Sequence, residues 1–397
     1  MIKSLKAFES FLEESTKTEQ FSNVIIYIDE IPEKKFKQLG NIKRKIQIEK
    51  LVFRLTGGHA ETQPILIPEC FITEQVSFSQ EDPKKLSKIS ISSQRRSFEN
   101  IQFIRVIVDS CDITGNVVSF DAKNLCEIDQ KTFRNLENMT KYKLILKNAN
   151  VKSDIERSNK DIKVCYCVNQ DFDDPLKCEI PKCCDSIFFN TSGIVDFELH
   201  SNRKEIHSIN FYSQHTTEDR QKVDFFDIKE ISKLKVCYDP EDVESEEKTI
   251  KTFFLSFREQ EVKVNKLSLY NVPKITLRLD SIDSLKIDNE ANGNQTIKIF
   301  ADPVTIQKIL IRLDSKTKKI LLSCKHVTDI FVVSKKLENI KKCQFLFTTE
   351  HDIDSLNVRY KTTDSNDQNI YSINLKSKKN VKKFSIKQLQ EDESEKE

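Results

Sequence analysis

One short pattern recurs along this chain: Φ-x-x-Φ-x-Φ, where Φ is an apolar residue. It occurs as Phe21-Val24-Ile26, Ile48-Leu51-Phe53, Leu86-Ile89-Ile91, Phe98-Ile101-Phe103 and Met139-Tyr142-Leu144. It continues as Ile194-Phe197-Leu199, Ile206-Ile209-Phe211, Ile231-Leu234-Val236, Ile250-Phe253-Leu255 and Val264-Leu267-Leu269. In the last third it starts at Ile282, Ile306, Val327, Ile353 and Val381, in steps of 24, 21, 26 and 28 residues. Weaker runs lie between: Ile297-Ile299, Ile320-Leu322, Cys343-Phe345 and Ile373-Leu375. Val, Ile, Phe and Tyr fit a pleated surface, so each run reads as a strand. A single strand cannot bury its one apolar side. Stacking such units in parallel gives a continuous core.

The expected fold is therefore mainly β with short helices, an elongated solenoid of parallel strands. Two runs per 20–28 residues place a strand on each side of the coil rather than a full helix opposite. The alternative is a tandem of antiparallel β domains, of sandwich or clamp type. The L-x-x-L-x-L part of the pattern resembles leucine-rich-repeat proteins, whose repeats run over about 20–29 residues. It is similar to their irregular members, with Asn271 or Cys324 able to serve locally at the Asn/Cys ladder position. Three regions follow. Residues 1–20 form a helical segment, with Ile2, Leu5, Phe8, Phe11 and Leu12 at helix spacing. Residues 21–388 form the array, and 389–397 an acidic, disordered tail. Residues 169–186 and 239–249 read as surface loops.

Composition removes several function classes. The 397 residues include only 6 glycines, against about 28 at average usage. No pair of them matches a P-loop or a dinucleotide-binding fingerprint, where glycine lets backbone approach phosphate. An array turned by Asn, Asp, Ser and Lys is expected to have little use for hinges with positive φ. No apolar stretch is long enough to span a membrane, and no membrane partner is expected. The start carries Glu9, Glu13 and Glu14 and lacks an apolar signal core. The expected location is the cytoplasm. The lysine-rich run from Lys376 to Lys383 offers a nuclear alternative. Eleven cysteines, an odd number, fit reduced thiols better than a disulfide framework.

Few residues suggest chemistry. Cys165, Cys167, Cys178, Cys183 and Cys184 gather five thiols within 20 residues, but their spacing departs from zinc knuckles. They read as packing thiols, with Cys165 and Cys167 on the side of a strand opposite Val164, Tyr166 and Val168. No metal or cofactor is expected. Histidines 59, 200, 207, 215, 326 and 351 lack a nucleophile on a sharp turn, so no catalytic set forms. The residue before the second Φ faces outward. It is Lys50, Lys88, Lys141, Lys233, Lys266, Lys308, Lys342 or Lys383, with Arg105 in an equivalent place and Asp196 and Asp329 as acidic exceptions. The next outward position holds Phe254, Leu310 and Phe331, a candidate apolar patch on the same face.

The plainer account of these lysines is solubility and protection of strand edges. The functional account is a basic stripe for an acidic protein surface or a phosphate-rich ligand, centred on Lys233, Lys266, Lys308 and Lys342. Its mixture with Phe254, Leu310 and Phe331 suits protein more than nucleic acid. The resemblance to leucine-rich repeats implies a non-enzymatic protein–protein interaction scaffold that uses its strand face. A substrate-receptor adaptor of a ubiquitin ligase, docking through residues 1–20, is the first alternative. A β-helix enzyme is the second, and lacks the clustered acids and arginines it would need.

Overall fold

Apolar residues face inward and polar residues outward on long parallel ladders in the computed structural model of the chain. It describes residues 2–15, 20–31, 34, 45–56, 64–92, 96–171, 176–192, 196–214, 220–239, 252–257, 262–272, 274–288, 296–313, 317–334, 337–360 and 374–388. The described strands stack as parallel coils, a β-solenoid with only short helices. The strand pairings are parallel, which excludes the antiparallel alternative. The chain divides into two units. One comprises Met1–Val168 with Pro181–Asp185, the other Asn169–Ile180 with Ser186–Glu397.

In the first unit, one sheet runs through Gln20–Tyr27, Ile46–Leu55, Gln75–Gln80, Ser97–Ile104, Thr114–Asp121 and Thr140–Lys147 and ends on residues 163–168 of the strand Lys163–Asp171. Its register aligns a buried row of Val24, Leu51, Val76, Ile101, Val118, Leu144 and Val164. Two residues on, Phe53, Phe78 and Phe103 stack at 5.3 and 5.4 Å between ring centroids. The opposite side of the coil is a sheet of Ile65–Leu66, Ser87–Ser92 and Val106–Cys111. The Gln130–Met139 helix packs on the last of these strands and buries Phe133, Leu136 and Met139. Asp129 starts that helix, accepting a hydrogen bond from the Thr132 amide at 2.8 Å.

In the second unit the coil has a strand on each side, as the spacing of runs suggests. One sheet contains Ser186–Ser192, Glu205–Gln214, Glu230–Asp239, Lys263–Tyr270, Ser281–Asp288, Ile353–Tyr360 and Val381–Gln388. The other contains Leu176–Ile180, Asp196–Ser201, Arg220–Phe226, Thr252–Phe257, Lys274–Arg278, Gln344–Thr349 and Leu375–Ser377. The long strands Thr296–Leu313 and Lys319–Ser334 pass from the second sheet into the first, with a register shift between Ala301 and Thr305. Ile209, Leu234, Leu267, Leu285, Ile309, Ile330 and Leu356 form one inward row of the first sheet, all buried.

The first and last described strands differ in what packs on them. In the first unit, Ile2 bridges to Ile26, and the Leu5–Ser15 helix buries Phe8 and Phe11. The Phe11 ring meets Phe21 at 5.2 Å and Phe71 at 6.1 Å. Phe8 and Phe11 of the segment expected to dock are thus buried within the chain itself. In the second unit, the Val381–Gln388 strand leaves Phe384 52% exposed.

Four local expectations are corrected. Among the described residues, corners do use positive φ, at Arg105, Lys123, Asn124, Asn148, Asp227 and Asn271. Asn and Asp tolerate this region because their short polar side chains bond locally. Arg105 therefore turns a corner, and its guanidinium donates to the Gln80 carbonyl. Tyr142 is 65% exposed, because the register shifts between Thr140 and Lys143. Lys342 ends a short helix, Leu337–Lys342, and does not lie on a strand. His59, His215, residues 240–249 of the acidic run and the tail 389–397 lie outside the described residues.

Candidate interaction surface

The outward side of the first sheet of the second unit collects most of the sequence-predicted surface residues. Its register sets Lys233 beside Lys266, then Ser284, Lys308, Asp329, Ser355 and Lys383. The next outward row is Lys235, Ser268, Lys286, Leu310, Phe331, Asn357 and Ser385. A third holds Cys237, Tyr270, Asp288, Arg312, Val333, Arg359 and Lys387. These rows carry nine Lys or Arg against two Asp. The chain as a whole is nearly neutral at +2, so the excess is local.

Aromatic rings hold several of the cations. Lys235 and Lys286 place Nζ 4.5 and 4.9 Å from the Tyr270 ring centre, and Lys286 also donates to the Tyr270 hydroxyl at 3.3 Å. Lys308 and Arg359 flank Phe331 at 4.7 and 5.4 Å. Such contacts fix a charge without neutralising it. Asp288 does neutralise in part, bridging Lys286 at 3.1 Å and Arg312 at 3.7 Å. Asp329 accepts from the Ser355 hydroxyl. Lys233 and Lys266 are exposed, lie in adjacent strands and have no ion-pair partner among the described residues. Adjacent strands are about 4.8 Å apart, so these two ammonium groups repel unless an anion lies between them.

The second sheet of the same unit is different. There Lys177 meets Glu198 at 3.2 Å, His200 meets Glu198 at 3.6 Å, and Lys222 pairs with Asp224. The hydrogen bond from Lys177 holds the Glu198 carboxyl below its ordinary range. Those three basic side chains are paired with acids, whereas Lys274 and Lys298 also stack on that side without an ion pair among the described residues.

Of the predicted set, Lys233, Lys266, Lys308, Leu310 and Phe331 share one sheet face. Phe254 belongs to the other sheet, paired with Lys222 and Thr276, so of the three predicted apolar residues Leu310 and Phe331 share this face. Lys342 is exposed on its helix and paired with Glu338. Sequence reading missed Lys235, Tyr270, Lys286, Arg312 and Arg359. The signal was present: each lies two or four residues beyond an outward lysine, serine or aspartate of the repeat.

Among the described residues no group of three or more His, Cys, Asp or Glu side chains could hold a metal ion. Cys183 and Cys184 are buried, with Sγ atoms 3.8 Å apart, and burial pushes the Cys184 thiol up. Cys178 lies on Leu176–Ile180, and burial pushes its thiol up to about 12. Cys165 and Cys167 are half-buried and face outward, 3.9 Å apart at Sγ. The hydrogen bond from Cys167, aided by Lys143 and Lys147, brings Cys165 down to about 7. Compared with known proteins, the chain matches no family model, no curated protein and no solved structure.

Proposed function

We propose that the chain is a non-enzymatic interaction scaffold that binds an acidic protein segment on the first sheet of its second unit. The observation that carries this reading is the nine-to-two excess of basic residues, with Lys233 and Lys266 stacked and unpaired. A carboxylate-rich partner would relieve that repulsion while Leu310 and Phe331 supply apolar contact. Aromatic-held cations favour a protein ligand because they are already ordered, which lowers the entropy lost on binding. Kinship to irregular leucine-rich-repeat proteins belongs to the same proposal. It rests on the L-x-x-L-x-L pattern, and the second sheet opposite is a departure from a helix-backed repeat. Eleven free thiols fit a reducing compartment such as the cytoplasm.

Affinity capture with the full chain tests the proposal against a Lys233→Glu, Lys266→Glu, Lys308→Glu variant. Partners retained by the parent chain should be lost or weakened at least about tenfold by the variant. Raising salt should weaken the parent's binding too. Unchanged partners and affinity would overturn the reading.

A further inference from the structure

We infer that Cys165 and Cys167 form a thiol–disulfide exchange site on the outer side of the Lys163–Asp171 strand, suited to small disulfides that carry carboxylates. Strand alternation sends Val164, Tyr166 and Val168 into the core and leaves both sulfurs outside. They are 3.9 Å apart, so Cys167 can donate to a Cys165 thiolate. The neighbouring Thr140–Lys147 strand adds the charge. Ile145 pairs with Cys165, which puts Lys143 and Lys147 to either side of it, and Lys147 pairs directly with Cys167. Neither lysine has an ion-pair partner among the described residues. A thiolate between two free ammonium groups attracts an anionic reactant. The other thiols offer a contrast, since burial pushes Cys111, Cys126 and Cys324 up to between about 11 and about 12.

The chemistry balances without a further oxidant. The Cys165 thiolate attacks one sulfur of R–S–S–R, the old S–S bond breaks, and Cys165–S–S–R forms. The released RS⁻ takes a proton from water, so one half of the small disulfide is reduced while Cys165 is oxidised. Two residues along a strand span about 6.6 Å, near the upper end of the Cα separations that a disulfide bridges. Closure by Cys167 would strain the strand, so the mixed disulfide on Cys165 is the product expected to accumulate.

The test uses the full chain with oxidised glutathione, and with cystamine as a cationic control, read by intact mass and peptide mapping. One glutathionyl group per chain is expected first, on Cys165, and Cys165→Ser should abolish it. Lys143→Gln with Lys147→Gln should slow the reaction with glutathione disulfide on the order of fivefold and spare that with cystamine. A Cys165–Cys167 bond appearing after the first adduct would also support the site. A brief alkylation of the unmodified chain, which depends on no variant, should label Cys165 ahead of the other thiols. First labelling elsewhere, an adduct mapped elsewhere, or an unaltered rate in Cys165→Ser would overturn the inference. So would equal slowing of both disulfides by the lysine pair.

Discussion

Lys266 sits between Lys233 and Ser284 on neighbouring strands, and its charge opposes the fold that displays it. Lys266→Ser should therefore raise stability by about 0.5 kcal/mol while weakening partner capture; a urea midpoint that falls would contradict this. Glu137 shows the reverse balance. It is buried, and its carboxylate accepts from the Ser158 amide and hydroxyl and the Asn159 amide at 2.9 Å. Glu137→Ala strands those donors and should cost about 3 kcal/mol in a denaturant titration, with Glu137→Gln costing less because one acceptor oxygen remains.

At the scale of elements, two devices can be separated by experiment. Phe78 lies between Phe53 and Phe103, so Phe78→Ala should cost about 3–5 kcal/mol by opening a cavity. Asp129 caps the Gln130–Met139 helix, and its carboxyl is held below the usual range by the Thr132 amide. Its contribution is therefore complete above the unfolded value of about 4 and is lost as pH falls through the lower folded value. Asp129→Ala should cost about 1 kcal/mol at neutral pH, whereas Asp129→Asn should keep the cap and remove its acid dependence. These elements were unequally legible in the sequence. Alternation exposed the inward rows, because a buried strand side must be apolar at every second residue. It could not say which of two sheets a run joins, so Phe254 was grouped with Leu310 and Phe331. Nor can six residues establish a helical period, which is why Lys342 read as a strand position. Tyr142 misled because the strand changes register just after the helix that precedes it.

For the molecule as a whole, each coil is stabilised mainly by the coils next to it. The Val381–Gln388 strand has its described partner on one side only, Ile353–Tyr360, and Phe384 is exposed there. Ser281–Asp288 is paired on both sides. Amide hydrogen exchange should thus be fastest in 381–388 and slowest in strands such as 281–288. Equal protection in both would mean that the unit opens only as a single block.

The single-step register of that sheet has an evolutionary consequence. Adding or deleting one residue within a strand would turn the later outward residues of that strand toward the core, whereas a whole coil can be duplicated without disturbing its neighbours' phase. Each duplication would lengthen the basic face by about 4.8 Å. On the proposed binding role, the surface would act as a graduated ruler, its number of coils setting the length of acidic segment it can take.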